Sequence, residues 1–305
     1  MTKAKAAASA SAESPAPISH PGKVFWPEQG YTKQDLADYY SAIFPKLLPY
    51  VKDRMLALER CPDGMLGECF FQKQKPKGMP RGTPSKRLEH VAGAGKFTDY
   101  VVAGSLATQL ALVNLGCIAV HVMASRASSP RKPDWICIDI DPESGLFADA
   151  ARAALHVKSA LDVLKLPSYP KTSGSRGLHV FVPIRVGPDA DEVLAFAERF
   201  VARVASAHPN TLTVEHSRAA RRGRVYLDPF RNAFGQTVVA PYSVRRRARA
   251  PISTPLDWTE VTPELGPADF NLGNCAPRFS GSDPWSGFFE NRQVLSQATR
   301  LVDRL

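Results

Sequence analysis

Between Trp135 and Leu227 the apolar residues alternate between the two periods of regular structure, and this stretch constrains the chain most. Trp135 to Ile140 reads as a strand and about Phe147 to Leu164 as a helix. A turn at Ser173 to Gly177 leads into a strand from Leu178 to Ile184. From about Asp191 to Ala207, Val193, Phe196, Ala197, Phe200, Val201 and Val204 fall on one helical face, and a strand at Arg224 to Leu227 follows. The order β-α-β-α-β requires an open sheet with helices packed on it, a mixed α/β (α+β) fold.

The flanks are less regular. Residues 1 to 19 are Ala/Ser/Pro-rich with almost nothing to bury, which predicts a disordered tail. Thr32 with Asp35 three residues on resembles a capping box, and Leu36, Tyr39, Tyr40, Ile43 and Phe44 continue a helix expected to end near Pro45. Residues 61 to 86 are broken by Pro and Gly and read as short strands and basic loops. Ser105 to Leu115, closed by Gly116, reads as a helix. Past Pro251 the chain is Pro-rich with Trp258 and Trp285 and reads as a wrapping segment. A length of 305 residues suffices for one two-lobed domain or two small ones.

Composition excludes some classes. The five cysteines contain no C-x-x-C pair, and their odd number and irregular spacing argue against a disulfide framework and a zinc site. No apolar run approaches the ~18 residues of a membrane span, and no signal-peptide core is present, so a soluble, cytoplasmic protein is expected. A formal charge of +10 and a pI near 9.5 favour a polyanionic partner without naming a mechanism.

In Trp135-Ile136-Cys137-Ile138-Asp139-Ile140-Asp141, period-two alternation puts the isoleucines on one face and Cys137, Asp139 and Asp141 on the other. Paired carboxylates are costly unless a cation lies between them, and hard divalent ions prefer oxygen ligands. An isolated D-x-D is nonetheless more often a solvated strand end, and the motif also occurs in glycosyltransferases. Val225-Tyr226-Leu227-Asp228-Pro229 repeats the device, and a third acid would complete a two-metal site, although Asp228 alone reads as a turn acid. Between them, Lys171-Thr172-Ser173-Gly174-Ser175-Arg176-Gly177-Leu178-His179 is a Gly/Ser turn whose N–H groups, hydroxyls, Arg176 and His179 suit phosphate oxygens. It lacks the spacing of a Walker loop, and a plain β-turn would also explain its glycines.

Together, D-x-D, S-G-S-R-G-L-H and the later Asp resemble the three motifs of the archaeo-eukaryotic primase superfamily, and most closely those of the polymerase domain of bacterial ligase D. The resemblance runs from about His20 to the C-terminal region. It includes Arg60-Cys61-Pro62-Asp63-Gly64, Phe70-Phe71-Gln72-Lys73, Arg231-Asn232, Ala240-Pro241-Tyr242-Ser243 and Ser253-Thr254-Pro255-Leu256. It implies a two-lobed primase-polymerase fold with an RRM-like catalytic sheet flanked by helices. The expected parts are an N-terminal lobe about 20–130, a catalytic portion about 131–250 and a wrapping segment about 251–305.

By that resemblance Asp139, Asp141 and Asp228 are catalytic ligands of two Mn²⁺ or Mg²⁺ ions. His121, Ser173, Arg176, His179, Arg245 and Arg247 contact the nucleotide (NTP or dNTP). Lys23 and Lys33 match a pocket for the 5′-phosphate of a downstream strand, and Phe70 and Phe71 match aromatics that stack on the template; from spacing alone both phenylalanines read as core. Arg218, Arg221, Arg222 and Arg224 lie where relatives carry a basic loop that helps pair DNA ends, and a solvated charge run is the plainer reading. Departures from the family pattern are His20 for the commoner Asn, Ala119 and Met123 for Glu and Trp, and Phe234-Gly235-Gln236 for Arg-Gly-Ala.

The implied activity is template-dependent addition of one or a few nucleotides, ribonucleotides favoured, at DNA ends or at short gaps with a 5′-phosphate. The implied setting is non-homologous end joining near the nucleoid, with a Ku-like protein and a DNA ligase as partners. Three alternatives stand beside it: a primase, a gap filler in excision repair, and a non-catalytic module bridging DNA ends.

Overall fold

Thr32 ends a short strand pair and starts the first long helix. The computed structural model describes residues 16–90, 93 and 95–305, and in it β1 (Val24–Trp26) pairs antiparallel with β2 (Tyr31–Thr32), which runs into α1 (Lys33–Val51). Thr32 and Asp35 form the expected capping box. The expected end near Pro45 is overturned, because α1 continues through Pro45 and Pro49 to Val51. An interior proline costs about 3 kcal/mol. Leu47, Tyr50 and Val51 extend the buried stripe beyond it, and burying each such side chain returns about 1.5–3 kcal/mol.

The next strands are β3 (Arg54–Arg60), β4 (Phe70–Gln72), β5 (Ser85–Glu89) and β6 (Phe97–Val101), followed by α2 (Leu106–Asn114) and β7 (Cys117–Arg126). Ser105 caps α2 by accepting from the Thr108 N–H. β5 and β6 form a hairpin of their own. Cys61 and Cys69 are joined by a disulfide between the end of β3 and the start of β4, which corrects the expectation of no disulfide. The two strands pair antiparallel and bring the Cα atoms within 4.4 Å, a proximity that sequence spacing does not show.

Residues 135–228 hold β8 (Trp135–Pro142), α3 (Phe147–Val163), β9 (Tyr169–Thr172), β10 (Leu178–Pro183), α4 (Ala190–Ala207), β11 (Leu212–Thr213), α5 (Arg218–Arg221) and β12 (Val225–Asp228). β13 (Val238–Val239) follows. Among the described residues, β11-β12-β8-β10-β9 form one sheet and β13-β7-β3-β4 another. β9 and β11 are additions to the expected β-α-β-α-β order, and both are short. Ile136, Ile138 and Ile140, with Leu178, Val180, Val182 and Leu227, face α3 and α4 in one core. From the opposite face Trp135, Cys137 and Phe181 join a second core with α1 and β7.

Past Pro251 the chain bridges Pro251 to Asn271, Pro255 to Lys171 and Gln293 to Ile184. Trp285 enters the core beside α1, whereas Leu295, Ala298 and Val302 enter the core beneath α4. Residues 1–15 of the expected tail lie outside the described residues. Its end is tied to the fold: Asn114 accepts from the Ser19 N–H and donates to the Pro17 carbonyl. None of the described helices is long and apolar enough to cross a membrane.

Candidate active site

Strand register assembles the site. His179 on β10 lies opposite Asp139 on β8, and Asp139 lies opposite Asp228 on β12. Directly opposed residues share a face, so Asp139, Asp141, Asp228 and His179 project together from the side not covered by α3 and α4. Asn232 braces this edge by taking the place of a strand partner for Cys137: its side chain accepts from the Cys137 N–H at 2.8 Å and donates to the Cys137 carbonyl at 2.8 Å.

The turn from Ser173 to Gly177 sits where β10 meets β8. A Cβ on Gly177 would lie 2.0 Å from the Ile140 carbonyl oxygen, so no larger residue fits unless the strands part. Gly174 has φ +64°, the left-handed region open to glycine. The Ser173 hydroxyl accepts from the N–H groups of Ser175 and Gly177 and holds the turn closed.

These elements form one wall of a cavity of about 360 Å³. Asp139, Asp141, Ser173, Ser175, Arg176, His179 and Arg231 line it from one side, and Phe71, Lys73, His121 and Val239 from the other sheet, with Arg245 between. Asp228 stands outside the lining but opposite Asp139. Arg247 is exposed and does not line the cavity. Arg231 is the principal residue that the sequence reading left out of the site. Its Nε donates to Asp139 at 3.0 Å and lies 3.7 Å from Asp228. The D-P-x-R spacing was its signal, because a 3-10 turn at Phe230–Asn232 swings the side chain back over the acids.

Burial opposes ionisation of Asp139, yet His179 and Arg231 hold its carboxyl well below the usual range. Burial and the charge of Asp139 raise Asp141 and Asp228 above theirs. Burial, then the neighbouring charge of Lys171, lowers His179 to about 4, so its ring is neutral at pH 7. His121 is likewise held well below its ordinary value by burial and nearby cations, and its buried Nε2 has no partner among the described residues.

Oxygen donors on one face, with excess negative charge that burial makes costly, fit a hard divalent cation. The Arg231 guanidinium now contacts two of them, showing that the place accepts positive charge. Among the described residues no three acidic, His or Cys side chains are drawn together tightly enough to form a ready-made metal cluster; Asp139, Asp141 and Asp228 are the acids on this face that could hold an ion if they drew together.

A second cavity, about 740 Å³, is lined by His20, Lys23, Lys33, Arg60 and Asn114, among others. Lys33 is 5% exposed, donates to the Ser19 carbonyl at 2.7 Å, and has its pKa lowered by burial and by Lys23. Lys23 pairs with Asp63 at 2.6 Å. Phe70 and Phe71 are 40% and 63% exposed, so the core reading from spacing fails. Phe71 meets His121 edge-on, whereas Phe70 carries the Arg60 guanidinium. In the arginine run, Arg218 and Arg222 are exposed. Arg221 is buried over Tyr226 and bonded to the carbonyls of Glu215 and His216, and Arg224 bonds those of Arg221 and Ala220. Those two hold their own loop together.

An acidic strand pair, a Gly/Ser turn and a basic wall thus meet on this mixed α/β frame. The family model for the LigD primase-polymerase domain matches residues 32–285, and the chain belongs to that family. It is 30% identical over 309 residues to the multifunctional non-homologous end joining protein LigD of Pseudomonas aeruginosa, covering 98% of this chain and 36% of that protein. It is 32% identical over 280 residues to the bifunctional protein LigD of Bacillus subtilis, covering 89% and 44%. The chain therefore spans less than half the length of these relatives. The polymerase domain of Mycobacterium tuberculosis ligase D, solved in complex with DNA, matches with a TM-score of 0.85 at 26% identity over 92% of this chain and 100% of that one.

Proposed function

We propose that the chain is a template-dependent polymerase that adds one or a few nucleotides, ribonucleotides favoured, to DNA ends or to short gaps with a 5′-phosphate during non-homologous end joining. The observation that carries this reading is Asp139 and Asp141 on one wall of a cavity, with Asp228 opposite Asp139, facing Lys73, Ser175, Arg176 and Arg245, which can donate hydrogen bonds to phosphate oxygens. The names of the relatives and the DNA bound by the solved domain supply the setting. A Ku-like protein and a ligase would act with it.

Mn²⁺ or Mg²⁺ ions held by Asp139, Asp141 and Asp228 would activate the primer hydroxyl and neutralise the triphosphate. Asp139 stays ionised across the physiological range and so serves as a ligand and not as a proton acceptor. Arg176, Arg245, Ser175 and the His179 N–H bind phosphate oxygens, while Arg231 must yield Asp139 as the site loads. Phe71, exposed at the rim, stacks on the template base. Lys23 and Lys33 hold the downstream 5′-phosphate, and the exposed Arg218 and Arg222 are the part of the arginine run free to meet a second DNA end.

Asp139→Asn and Asp228→Asn should each lower primer extension by about a hundredfold or more while gapped-DNA affinity holds, since each removes a metal ligand and no DNA contact. Near wild-type extension in either variant removes the metal assignment. Paired assays with rNTPs and dNTPs test the sugar preference, and equal use of the two removes it.

A further inference from the structure

The row across the catalytic sheet has a fourth member. Lys171 on β9 lies directly opposite His179, so Lys171, His179, Asp139 and Asp228 cross four neighbouring strands in one line. Lys171 is 0% exposed and does not reach the cavity. Its Nζ lies 2.9 Å from His179 Nδ1 and 2.5 Å from Ser253 Oγ, above the Phe181 ring. Among the described residues it has no ion pair, and fully buried lysines without one are rare because desolvating an ammonium is costly. Its retention therefore points to work at His179.

Donor and acceptor roles leave one arrangement. Ser253 Oγ donates to the Thr172 carbonyl at 2.9 Å, so towards Lys171 it accepts. An ionised Asp139 only accepts, and its Oδ1 lies 3.3 Å from His179 Nε2, so Nε2 carries the ring proton. Nδ1 is then a bare acceptor, and Lys171 is its donor. We propose that Lys171 is a positioning residue that locks His179 in the Nε2–H tautomer, aimed at Asp139 and the nucleotide cavity. Without that donor only the 3.3 Å contact with Asp139, a carboxylate that a bound cation would engage, favours the Nε2–H form, so the ring can place its proton on Nδ1 and turn a lone pair towards the carboxylate and the phosphates. The inference rests on reading the cavity as the nucleotide site.

The test joins a tautomer measurement to kinetics on the full chain. Nitrogen-15 NMR of the histidine side chains, with His179→Ala to assign the resonance, should show a neutral Nε2–H ring in the wild type. Lys171→Met should give a ring protonated at Nδ1 or a mixture, with kcat/KM for nucleotide addition down about tenfold, the scale of losing a group that orients a ligand. Lys171→Gln, which keeps an N–H donor on a chain one atom shorter, should recover part of both. An Nδ1–H ring in the wild type overturns the proposal, as does a folded Lys171→Met protein that keeps the wild-type tautomer, whatever its activity. If Lys171→Met does not fold, the wild-type spectrum and Lys171→Gln decide. Failure of the polymerase reading would show separately, as extension unaffected by Asp139→Asn.

Discussion

A buried lysine with no carboxylate partner costs stability wherever it is protonated, and Lys171 lets that cost be read. Burial, with Arg245 adding, brings its pKa from 10.5 to about 7. Between those values the unfolded chain binds the proton and the folded chain does not, so the contribution of Lys171 to stability becomes more favourable as pH rises. Urea midpoints of the wild type, relative to those of Lys171→Met, should climb from pH 7 to pH 9; a flat difference would mean that the lysine is not desolvated as described. Asp139 and Asp141 were readable because strand alternation is local. Lys171 was not, because it acts through cross-strand register, which spacing along one element does not encode; Arg231 left only the D-P-x-R spacing, whose 3-10 turn the strand pattern does not show.

At the scale of elements, the junction of β8 with β10 depends on Gly177. The Ile140 carbonyl oxygen lies 2.0 Å from where an alanine Cβ would stand, and that oxygen is backbone, so the strands must part to admit it. Gly177→Ala should destabilise the fold by about 1–3 kcal/mol, the usual cost of overpacking. It should lower nucleotide addition further than the stability loss explains, because the displaced strand carries His179 away from Asp139. Denaturant unfolding and primer extension on the same preparation separate the two effects, and wild-type values in both would mean that the turn is not rigid. The turn itself was legible from its glycines. β9 was not, because Tyr169-Pro170-Lys171-Thr172 is short and holds a proline, and α1 outran its expected end because the burial of Tyr50 and Val51 is decided by tertiary packing and not by Pro45.

At the scale of the whole molecule, distant parts of the chain build the cavity that holds Lys23 and Lys33. Residues 19–33 supply one side, Arg60 and Pro62 at the end of β3 a second, and residues 114–116 at the end of α2 a third. The sequence offered the two lysines only through family resemblance, since no local pattern brings Arg60 and Asn114 beside them. If this cavity grips a downstream 5′-phosphate, that group adds about two negative charges at pH 7. Binding of a phosphorylated gap should then be tighter than that of an unphosphorylated one and fall more steeply with salt, because more counterions are released. Lys23→Ala with Lys33→Ala should abolish the difference while leaving the unphosphorylated gap nearly unchanged. Lys33 also anchors Ser19, so unfolding of the double variant is measured alongside. Lysines that act as general surface charge would weaken both substrates alike. The deciding measurement is a salt titration of labelled gapped DNA, with and without the phosphate, against both proteins: a phosphate effect that persists in the folded double variant places the phosphate elsewhere.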